Sequence, residues 1–434
     1  MRTIVRDLSK HIDETVTVCG WVNAVRAQRK IQFVIVRDDS GMVQTTLRRG
    51  QDEAMEALID KLHDESAVRV TGRVVANEVV SLGGIEIVPE RFEVLGAAEA
   101  PLPIDRNTGP EQRLDWRYLD LRLRPEQRQV LAVQSTVEQA MRDYVFSRGF
   151  VELHTPKLMG TASESGAEVF KLEYFDRAAY LAQSPQFYKQ MAIAAGFEQV
   201  FEVGPVFRAE PSFTSRHSTE FTGVDIEFAW IDGVEDVMDL EEEMIAGALR
   251  RVEELHGDQI FETFSRKVKA PDVAMPRIRM DEAIELLRSQ GWDPEGQRAE
   301  LDPEGERRLS AHFLEQTGSE FVFVTHYPSS VRPFYHMRPE GDPDTTLSFD
   351  LLWNGLEITT GAQREHRYDV LCAQAEEKGM ALEPLRQYLD AFRFGTPPHG
   401  GLGLGLGRFT MTLLGLESIR DTSFLFRGPN RLTP

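Results

Sequence analysis

The chain has 434 residues, 41% of them hydrophobic, which is enough for two or three domains with proper cores; its two cysteines, Cys19 and Cys372, make neither a disulfide framework nor a metal set. No apolar stretch approaches the ~20 residues that cross a bilayer, and the first residues carry no signal-peptide segment, so a soluble, cytoplasmic protein is expected. Lys+Arg 49 against Asp+Glu 70 give a net charge of −21, which disfavours a polyanionic partner except locally: residues 1 to 50 carry nine basic and five acidic side chains.

Alternating apolar residues predict short strands over 16–22, 31–37, 42–47, 67–75 and 85–95, with turn signals at Asp38-Asp39-Ser40-Gly41 and Gly83-Gly84 and a helical stretch over 52–62 after the third. Five strands with a helix in that place are the order of an OB-fold barrel, a fold that often binds single-stranded nucleic acid. Prolines at 101, 103 and 110 mark a linker, so the domains are read as 1–100, a linker or hinge at 101–125, and 126–434.

In the larger domain, Val130, Val133, Val137, Ala140, Met141 and Tyr144 set out one face of a helix over 127–148, which Gly149 stops. A strand over 150–154 follows and ends at Thr155-Pro156. Further strands over 200–207, 224–229, 321–325, 347–352 and 356–359 alternate with fewer helices. The mixture predicts an α+β domain, a large antiparallel sheet flanked by helices, rather than a doubly wound parallel one. No internal repeat or low-complexity segment interrupts it.

Three constellations carry chemistry. Phe207-Arg208-Ala209-Glu210 ends a strand and is followed, past a polar loop, by Arg216-His217-Ser218-Thr219-Glu220-Phe221. A guanidinium donates two parallel hydrogen bonds to one oxyanion, so two arginines flanking a loop can clamp a polyphosphate; Arg208 and Glu210 could equally form a surface ion pair. Asp350, in Phe349-Asp350-Leu351, precedes Gly355-Leu356-Glu357-Ile358-Thr359-Thr360-Gly361 and then Gln363-Arg364-Glu365-His366. Asp350 and Glu357 on neighbouring strands supply hard oxygen ligands suited to Mg²⁺ shared with phosphates, unless Glu357 is merely a satisfied strand carboxylate. The run Gly400 to Arg408 alternates glycine with leucine, closes on an arginine and leads into an apolar helix. Its spacing fits neither the G-x-G-x-x-G fingerprint nor a P-loop. It reads as a strand whose backbone can be approached closely, with Arg408 as the group that touches a ligand.

These features resemble the class II aminoacyl-tRNA synthetases. Thr155-Pro156 is similar to their motif 1, Phe207-Arg208-Ala209-Glu210 with Arg216-His217 and Phe221 to motif 2, and Gly401 to Arg408 to motif 3. With an OB-fold in front, the resemblance points to the subgroup charging aspartate, asparagine or lysine, and it spans nearly the whole chain. Ser163-Glu164-Ser165-Gly166-Ala167 and Gln183-Ser184-Pro185-Gln186-Phe187-Tyr188-Lys189 resemble the aspartate-charging members. The resemblance implies that Glu164, Gln186 and Asp225 hold the substrate's amino end and that Lys189 and Arg364 hold its side-chain carboxylate. Two cations in such a pocket would reject a neutral amide by leaving charge unpaired.

By the same resemblance ATP and Mg²⁺ are used. Arg208 would bridge the amino acid's carboxylate and the α-phosphate, and Arg216 and His217 would meet the outer phosphates. Phe221 and Arg408 would sandwich the adenine. Ala209, Glu210, Ser218, Glu357, Gly405, Leu406 and Gly407 complete the ATP set. Asp350 and Glu357 would bind Mg²⁺, with Thr360 near that ion and the aspartate. In the barrel, Phe33 matches a base-stacking aromatic of the anticodon site and Arg26, Gln44 and Glu86 its hydrogen-bonding positions, the alternative being that Phe33 is ordinary barrel core.

The chain has no room for the large insertion that the bacterial enzymes carry between motifs 2 and 3, and so resembles the archaeal and eukaryotic type. Members of that type that charge only aspartate tRNA tend to carry a Trp near Asn23 and a Lys in the loop around Ser81-Leu82-Gly83, and neither is present. Relaxed charging of both aspartate and asparagine tRNAs follows as an expectation, with an amidotransferase to receive the second product and a homodimer built on motif 1. A strictly discriminating enzyme, an asparagine-charging enzyme, an asparagine synthetase-like paralogue and a non-catalytic tRNA-binding relative are the alternatives. Lys189, the barrel, and Arg208, Glu357 and Arg408 weigh against the last three in turn.

Overall fold

A computed structural model describes residues 2–161, 168–211, 214–292 and 300–434. The chain divides into two compact units, residues 1–105 and 106–434.

In the first unit, strands β1 (Thr15–Ala27), β2 (Ile31–Arg37), β3 (Met42–Arg48), β4 (Ala67–Ala76) and β5 (Ile85–Gly96) close into a barrel in the order β1-β2-β3-β5-β4, with helix α1 (Glu53–Ile59) after the third strand. The alternation places Val34 and Val36 in the barrel core with Val18, Val70 and Ile87. Asp52 starts α1 by accepting the Met55 amide at 2.9 Å. The expected OB order is therefore present, strand for strand.

The second unit opens with α2 (Pro110–Asp115), α3 (Arg117–Leu123) and α4 (Pro125–Ser147). Pro125 sits at the first helical position of α4, and Val130, Val133, Val137 and Met141 fall on its buried face. Strand β6 (Val151–Glu152) is short: past the Leu153 amide, which still bonds the Phe201 carbonyl, the Thr155 amide turns to the Glu202 side chain. A small three-stranded sheet of β7 (Leu158–Met159), β8 (Lys171–Tyr174) and β9 (Arg177–Leu181) follows, then α5 (Gln186–Ala194), β10 (Gln199–Phe207), β11 (Glu220–Ala229) and α6 (Val234–Phe264). The chain continues through β12 (Arg277–Arg279), α7 (Met280–Ser289), α8 (Pro303–Thr317), β13 (Phe321–Thr325), β14 (Ser348–Trp353), β15 (Leu356–Gln363), α9 (Tyr368–Glu377), α10 (Leu382–Ala391), β16 (His399–Gly405) and α11 (Leu406–Leu414).

The large sheet runs β12-β13-β14-β15-β16-β11-β10-β6. Its six central strands are antiparallel as expected, but both edges differ: β12 pairs with β13, and β6 with β10, in parallel. Parallel neighbours need a long crossover, and α7 with α8 at one edge, and the small sheet with α5 at the other, supply it. One face of the sheet packs on α4, α6 and α11 through Phe323, Leu351, Leu402, Leu404 and Phe409. The alternate residues Val322, Val324 and Leu352 face α7 and α8 on the other side. On this second face the functional residues collect. Among the described residues no helix is long and apolar enough to cross a membrane.

Candidate active site

A cleft of ≈280 Å³ opens on the second face over β10, β11, β15 and β16. It is lined by Gln186, Arg208, Glu210, Arg216, His217, Ser218, Phe221, Asp225, Glu357, Thr360, Arg364, Gly405, Gly407 and Arg408, so residues of the second and third motifs meet those of β11 and β15 in one place, while Thr155-Pro156 of the first lies outside it. Two of its ends differ in construction.

At the first end Asp225 and Glu227 project from the same side of β11, two residues apart. Across the ladder they face Gly403 and Gly401 of β16. A β-carbon on Gly401 would lie 2.4 Å from Glu227 Oε2 and 2.0 Å from the Ile226 carbonyl oxygen, and one on Gly403 3.1 Å from Asp225 Oδ1. These glycines therefore make room for the carboxylates of the neighbouring strand, and Gly405 is the member of the run that opens beside Arg408. Leu406 departs from the expected ATP set in its side chain, which is fully buried in the core. It begins α11, whose apolar face must close that core.

Arg364 donates from Nε to Glu227 Oε1 (3.0 Å) and from Nη2 to Glu227 Oε2 (3.3 Å) and the Gly401 carbonyl (2.9 Å). Lys189, from α5, does not itself line the cleft; its ammonium lies 3.1 Å from Asp225 and 3.4 Å from Glu227 and donates to the Leu402 carbonyl at 2.9 Å. Burial pushes the Glu227 carboxyl up, but Arg364 and Lys189 more than offset it and the net shift is downward, so Glu227 stays ionised. Burial, then Arg364, hold His336 well below its ordinary value; the neutral ring accepts from Arg364 Nη1 at 3.1 Å. Two cations against Glu227 and Asp225 leave no charge in excess until an ammonium engages Asp225, after which the end carries one positive charge in excess and is one negative charge short of neutral.

Gln186 is held by a relay. His399 Nδ1 donates to the Pro397 carbonyl (2.8 Å), its Nε2 accepts from Gln190 (3.0 Å), and Gln190 Oε1 accepts from Gln186 Nε2 (3.0 Å) and the Tyr388 hydroxyl (2.9 Å). The relay leaves Gln186 Oε1 as an acceptor for an ammonium. Glu164 lies outside the described residues.

At the second end the guanidinium groups are held loosely. Arg208 is 44% exposed, 4.0 Å from Glu210 and 5.5 Å over the Phe221 ring. Arg408 lies 3.5 Å from the Glu357 carboxylate and donates to the Glu357 and Arg216 carbonyls at 3.2 and 3.4 Å. Arg216 is 3.6 Å from Glu306 of α8. His217 is within 3.5 Å of Glu210 and contacts Thr214 through Nδ1; burial, then Arg408, lower its pKa, so it is neutral at pH 7. Ser218 bonds the Glu220 and Arg427 carbonyls, and Ala209 donates its amide to the Glu168 carbonyl.

Asp350 faces Thr360 across the β14–β15 ladder, and a bulge in β15 brings Glu357 to the same side; the Thr360 hydroxyl donates to Glu357 at 3.3 Å. One Asp350 oxygen accepts from Arg332 at 2.6 Å, while the other, Oδ1, is buried and among the described residues has no hydrogen bond of good geometry. Burial and the Asp350 charge push the Glu357 carboxyl up, against Arg408 and Arg332. Burial and Glu357 likewise raise Glu306 to about 7. An orphaned oxygen beside a raised carboxyl is the electrostatic signature of a place that takes a cation. The oxygen donors therefore fit Mg²⁺, although the described residues hold no group of three carboxylate, histidine or cysteine ligands, so phosphate oxygens would have to complete the shell.

Behind this end, on the core side of β15, Glu241 of α6 is fully buried. Among the described residues neither of its oxygens has a hydrogen bond of good geometry, and burial raises it to about 8 although Thr359 opposes.

In the barrel unit, Arg26 pairs with Phe33, and Gln44 with Glu86, across adjacent strands. Phe33 is half-buried on the outer side, while its neighbours Gln32 and Val34 point inward, so it is not barrel core. Gln44 donates to Glu86 at 3.1 Å, and Asn77 to its other oxygen at 3.0 Å. Asn23 accepts from Arg37 Nη1 (2.8 Å), whose Nη2 donates to both oxygens of buried Glu65 (2.9 and 3.1 Å), and Leu82 lies in the turn between β4 and β5.

The sequence reading missed Glu227, Arg332, His336 and Glu306. For Glu227 the signal was present: Asp225-Ile226-Glu227 places two acids on one face of an otherwise apolar strand, which demands buried cations. Glu306 had none, since Pro303-Glu304-Gly305-Glu306-Arg307-Arg308 reads as a solvated helix start.

The chain matches the family described as tRNA synthetases class II (D, K and N) over residues 109–427 and the OB-fold nucleic acid binding domain over 16–95. It is 43% identical to an aspartate--tRNA(Asp/Asn) ligase of Aeropyrum pernix over 96% of this chain and 95% of the relative. It is 41% identical to an aspartate--tRNA(Asp) ligase of Pyrococcus abyssi over 96% of each. The structure is similar, with a TM-score of 0.91 and 35% identity over the whole of both chains, to asparaginyl-tRNA synthetase from Pyrococcus horikoshii complexed with asparaginyl-adenylate. With a barrel, a mixed sheet, and the second and third motifs gathered on one cleft of the larger unit, this chain belongs to the class II tRNA synthetases of the aspartate, lysine and asparagine group.

Proposed function

We propose that this synthetase joins L-aspartate to tRNA through an aspartyl-adenylate and accepts both tRNA(Asp) and tRNA(Asn). The observation that carries the amino-acid assignment is the Lys189–Glu227–Arg364 cluster. With Asp225 committed to the substrate ammonium, it lacks one negative charge, which an aspartate side chain supplies and an asparagine amide does not. Gln186 and Glu164 would share the amino end.

In the first step the aspartate α-carboxylate attacks the α-phosphorus of ATP in line and pyrophosphate leaves; in the second the tRNA's terminal ribose hydroxyl displaces AMP. The protein supplies no nucleophile, so its work is positioning and charge stabilisation. Arg208 would bridge the carboxylate and the α-phosphate, Arg216 and His217 would meet the outer phosphates, and Phe221 and Arg408 would hold the adenine. Neutral His217 would serve there as a hydrogen-bond donor. Glu357, Thr360 and Asp350 Oδ1 would hold Mg²⁺, which when bound neutralises phosphate charge.

The outward Phe33, with Arg26, Gln44 and Glu86, supports anticodon reading by stacking and base-edge contacts. Asn23, engaged with Arg37 where a tryptophan would mark strict discrimination, and Leu82 support the relaxed reading. Relatives of both kinds, named for tRNA(Asp/Asn) and for tRNA(Asp), match at similar identity, so the aspartate assignment rests on the pocket and the relaxed one on these two barrel positions. Exposed Phe146, Val151 and Leu158 along the motif 1 segment support a homodimer, and an amidotransferase would receive aspartyl-tRNA(Asn). The cytoplasm is the setting this reading implies.

The test is aspartate charging of the two tRNAs, which differ at the last anticodon base, alongside ATP–pyrophosphate exchange with aspartate or asparagine. Aspartate-dependent exchange and charging of both tRNAs are expected. Charging of tRNA(Asp) alone would refute the relaxed reading, and exchange driven by asparagine would refute the pocket assignment.

A further inference from the structure

Arg216 stands on the loop between β10 and β11, and a long side chain on a loop delivers a phosphate contact only if something fixes it. Its backbone is tied by the Thr214 hydroxyl and by Arg408, and among the described residues its guanidinium meets one carboxylate, Glu306, through Nη1 at 3.6 Å. Glu306 comes from a different part of the chain, and its helix is anchored. Asp302 caps α8 by accepting the Gly305 amide at 2.8 Å and the Trp292 indole at 3.2 Å, and Trp292 is buried. A β-carbon on Gly305 would lie 3.0 Å from that indole, so the first turn of α8 packs directly on it. Glu306 itself is only 18% exposed. A pinned helix thus presents an acid to a loop arginine at 3.6 Å, an ion pair longer than a hydrogen bond, which an oxyanion can join on the guanidinium fork.

We propose that Glu306 is a positioning residue for the nucleotide: it holds the Arg216 guanidinium over the triphosphate end of the cleft. It thereby sets the affinity for ATP and for the pyrophosphate product. The inference rests on the reading above in which Arg216 meets the outer phosphates. Because aspartate binds at the other end, around Arg364 and Asp225, its affinity is independent of Glu306.

The experiment is steady-state ATP–pyrophosphate exchange with full-length Glu306→Gln, Glu306→Asp, Arg216→Ala and the double variant Glu306→Gln/Arg216→Ala, with thermal melts to confirm folding. Glu306→Gln should raise KM for ATP, and KM for pyrophosphate in the reverse direction, by roughly fivefold or more while kcat and KM for aspartate stay within about twofold. Glu306→Asp, which keeps the charge, should recover part of the loss. In the Arg216→Ala background Glu306→Gln should add nothing. A normally melting Glu306→Gln with unchanged or lowered KM for ATP overturns the proposal, the lowered value meaning that Glu306 competes with phosphate. If Arg216→Ala alone leaves KM for ATP unchanged, the phosphate role of Arg216 fails and the proposal falls with it; if it raises that KM and Glu306→Gln does not, only the proposal falls.

Discussion

The two ends of the cleft solve opposite problems. At the amino-acid end Lys189 and Arg364 are 4% and 3% exposed and already bonded to Glu227, the Gly401 and Leu402 carbonyls and His336. At the nucleotide end Arg208, Arg216 and Arg408 are 44%, 28% and 25% exposed and touch their carboxylates at 4.0, 3.6 and 3.5 Å. A pocket that must tell a carboxylate from an amide needs its charges desolvated and fixed before the substrate arrives, because only then does the wrong side chain leave one unpaired. A triphosphate carries its own charge and needs cations that can move onto it. The difference predicts that damage at the first end costs folding as well as activity, and damage at the second activity alone.

The largest effect should follow Arg364→Met, which strips Glu227 of its bidentate partner in the interior. A loss of ~3–5 kcal/mol in unfolding free energy is expected from urea titration, with aspartate-dependent exchange reduced about a thousandfold or more. A variant as stable as the parent would break the comparison at its stronger side. Arg208→Ala should remove ~10²–10³ of exchange rate with the urea midpoint nearly unchanged, since its side chain is 44% exposed and its carboxylate partner is 4.0 Å away. Retained exchange would end its assignment as the bridge between carboxylate and α-phosphate.

A third prediction concerns two glutamates that are equally buried and oppositely treated. Glu227 is pulled down by Arg364 and Lys189, whereas Glu241 is raised from 4.5 to about 8 by burial without a cation. An acid whose folded pKa is raised binds more protons folded than unfolded. Its stabilisation is therefore complete below the unfolded value of 4.5 and is lost as pH climbs to about 8. Between pH 5 and 7.5 the loss amounts to roughly 3 kcal/mol. Glu241→Gln should remove that slope, so that parent and variant unfolding curves approach each other at pH 5 and separate at pH 7.5 in the variant's favour. Parallel pH profiles would show that Glu241 is not protonated in the fold.

How much of this was legible in the sequence varied with the range of the interaction. The barrel order, α4 and the strands carrying Arg208, Asp225 and Glu357 follow from local periodicity and turns, and residues of the second and third motifs line one cleft. The parallel edges were not legible, because they depend on where long crossovers return the chain. Nor was Glu306, which reaches Arg216 from 90 positions away in sequence on a helix whose local pattern is that of any solvated surface. Glu227 was readable in principle and was passed over because a buried acid is informative only once its cations, from α5 and β15, are known to converge on it.

The smallest effects sharpen the comparison most, because they come from one strand that serves both ends. In β16 the glycines of the Gly400 to Arg408 run look equivalent in sequence. In the fold Gly401 sits where a methyl group would lie 2.0 Å from a backbone oxygen and 2.4 Å from Glu227, while one on Gly405 would meet only the Arg408 side chain, at an ordinary 3.9 Å. Gly401→Ala must therefore displace either the ladder to β11 or the carboxylate that holds Arg364. It should cost ~1–3 kcal/mol of stability together with aspartate affinity. Gly405→Ala should change stability by under ~0.5 kcal/mol and KM for ATP by less than about threefold, since a methyl there makes only ordinary contact with the Arg408 side chain. If the two variants behaved alike, the run would be a uniform nucleotide floor. A large gap between them, with the aspartate constant moving for Gly401→Ala and not for Gly405→Ala, would mean that alternate glycines of one strand serve different ends: one keeps a rigid charge cluster intact, the other leaves an arginine free to close on its ligand.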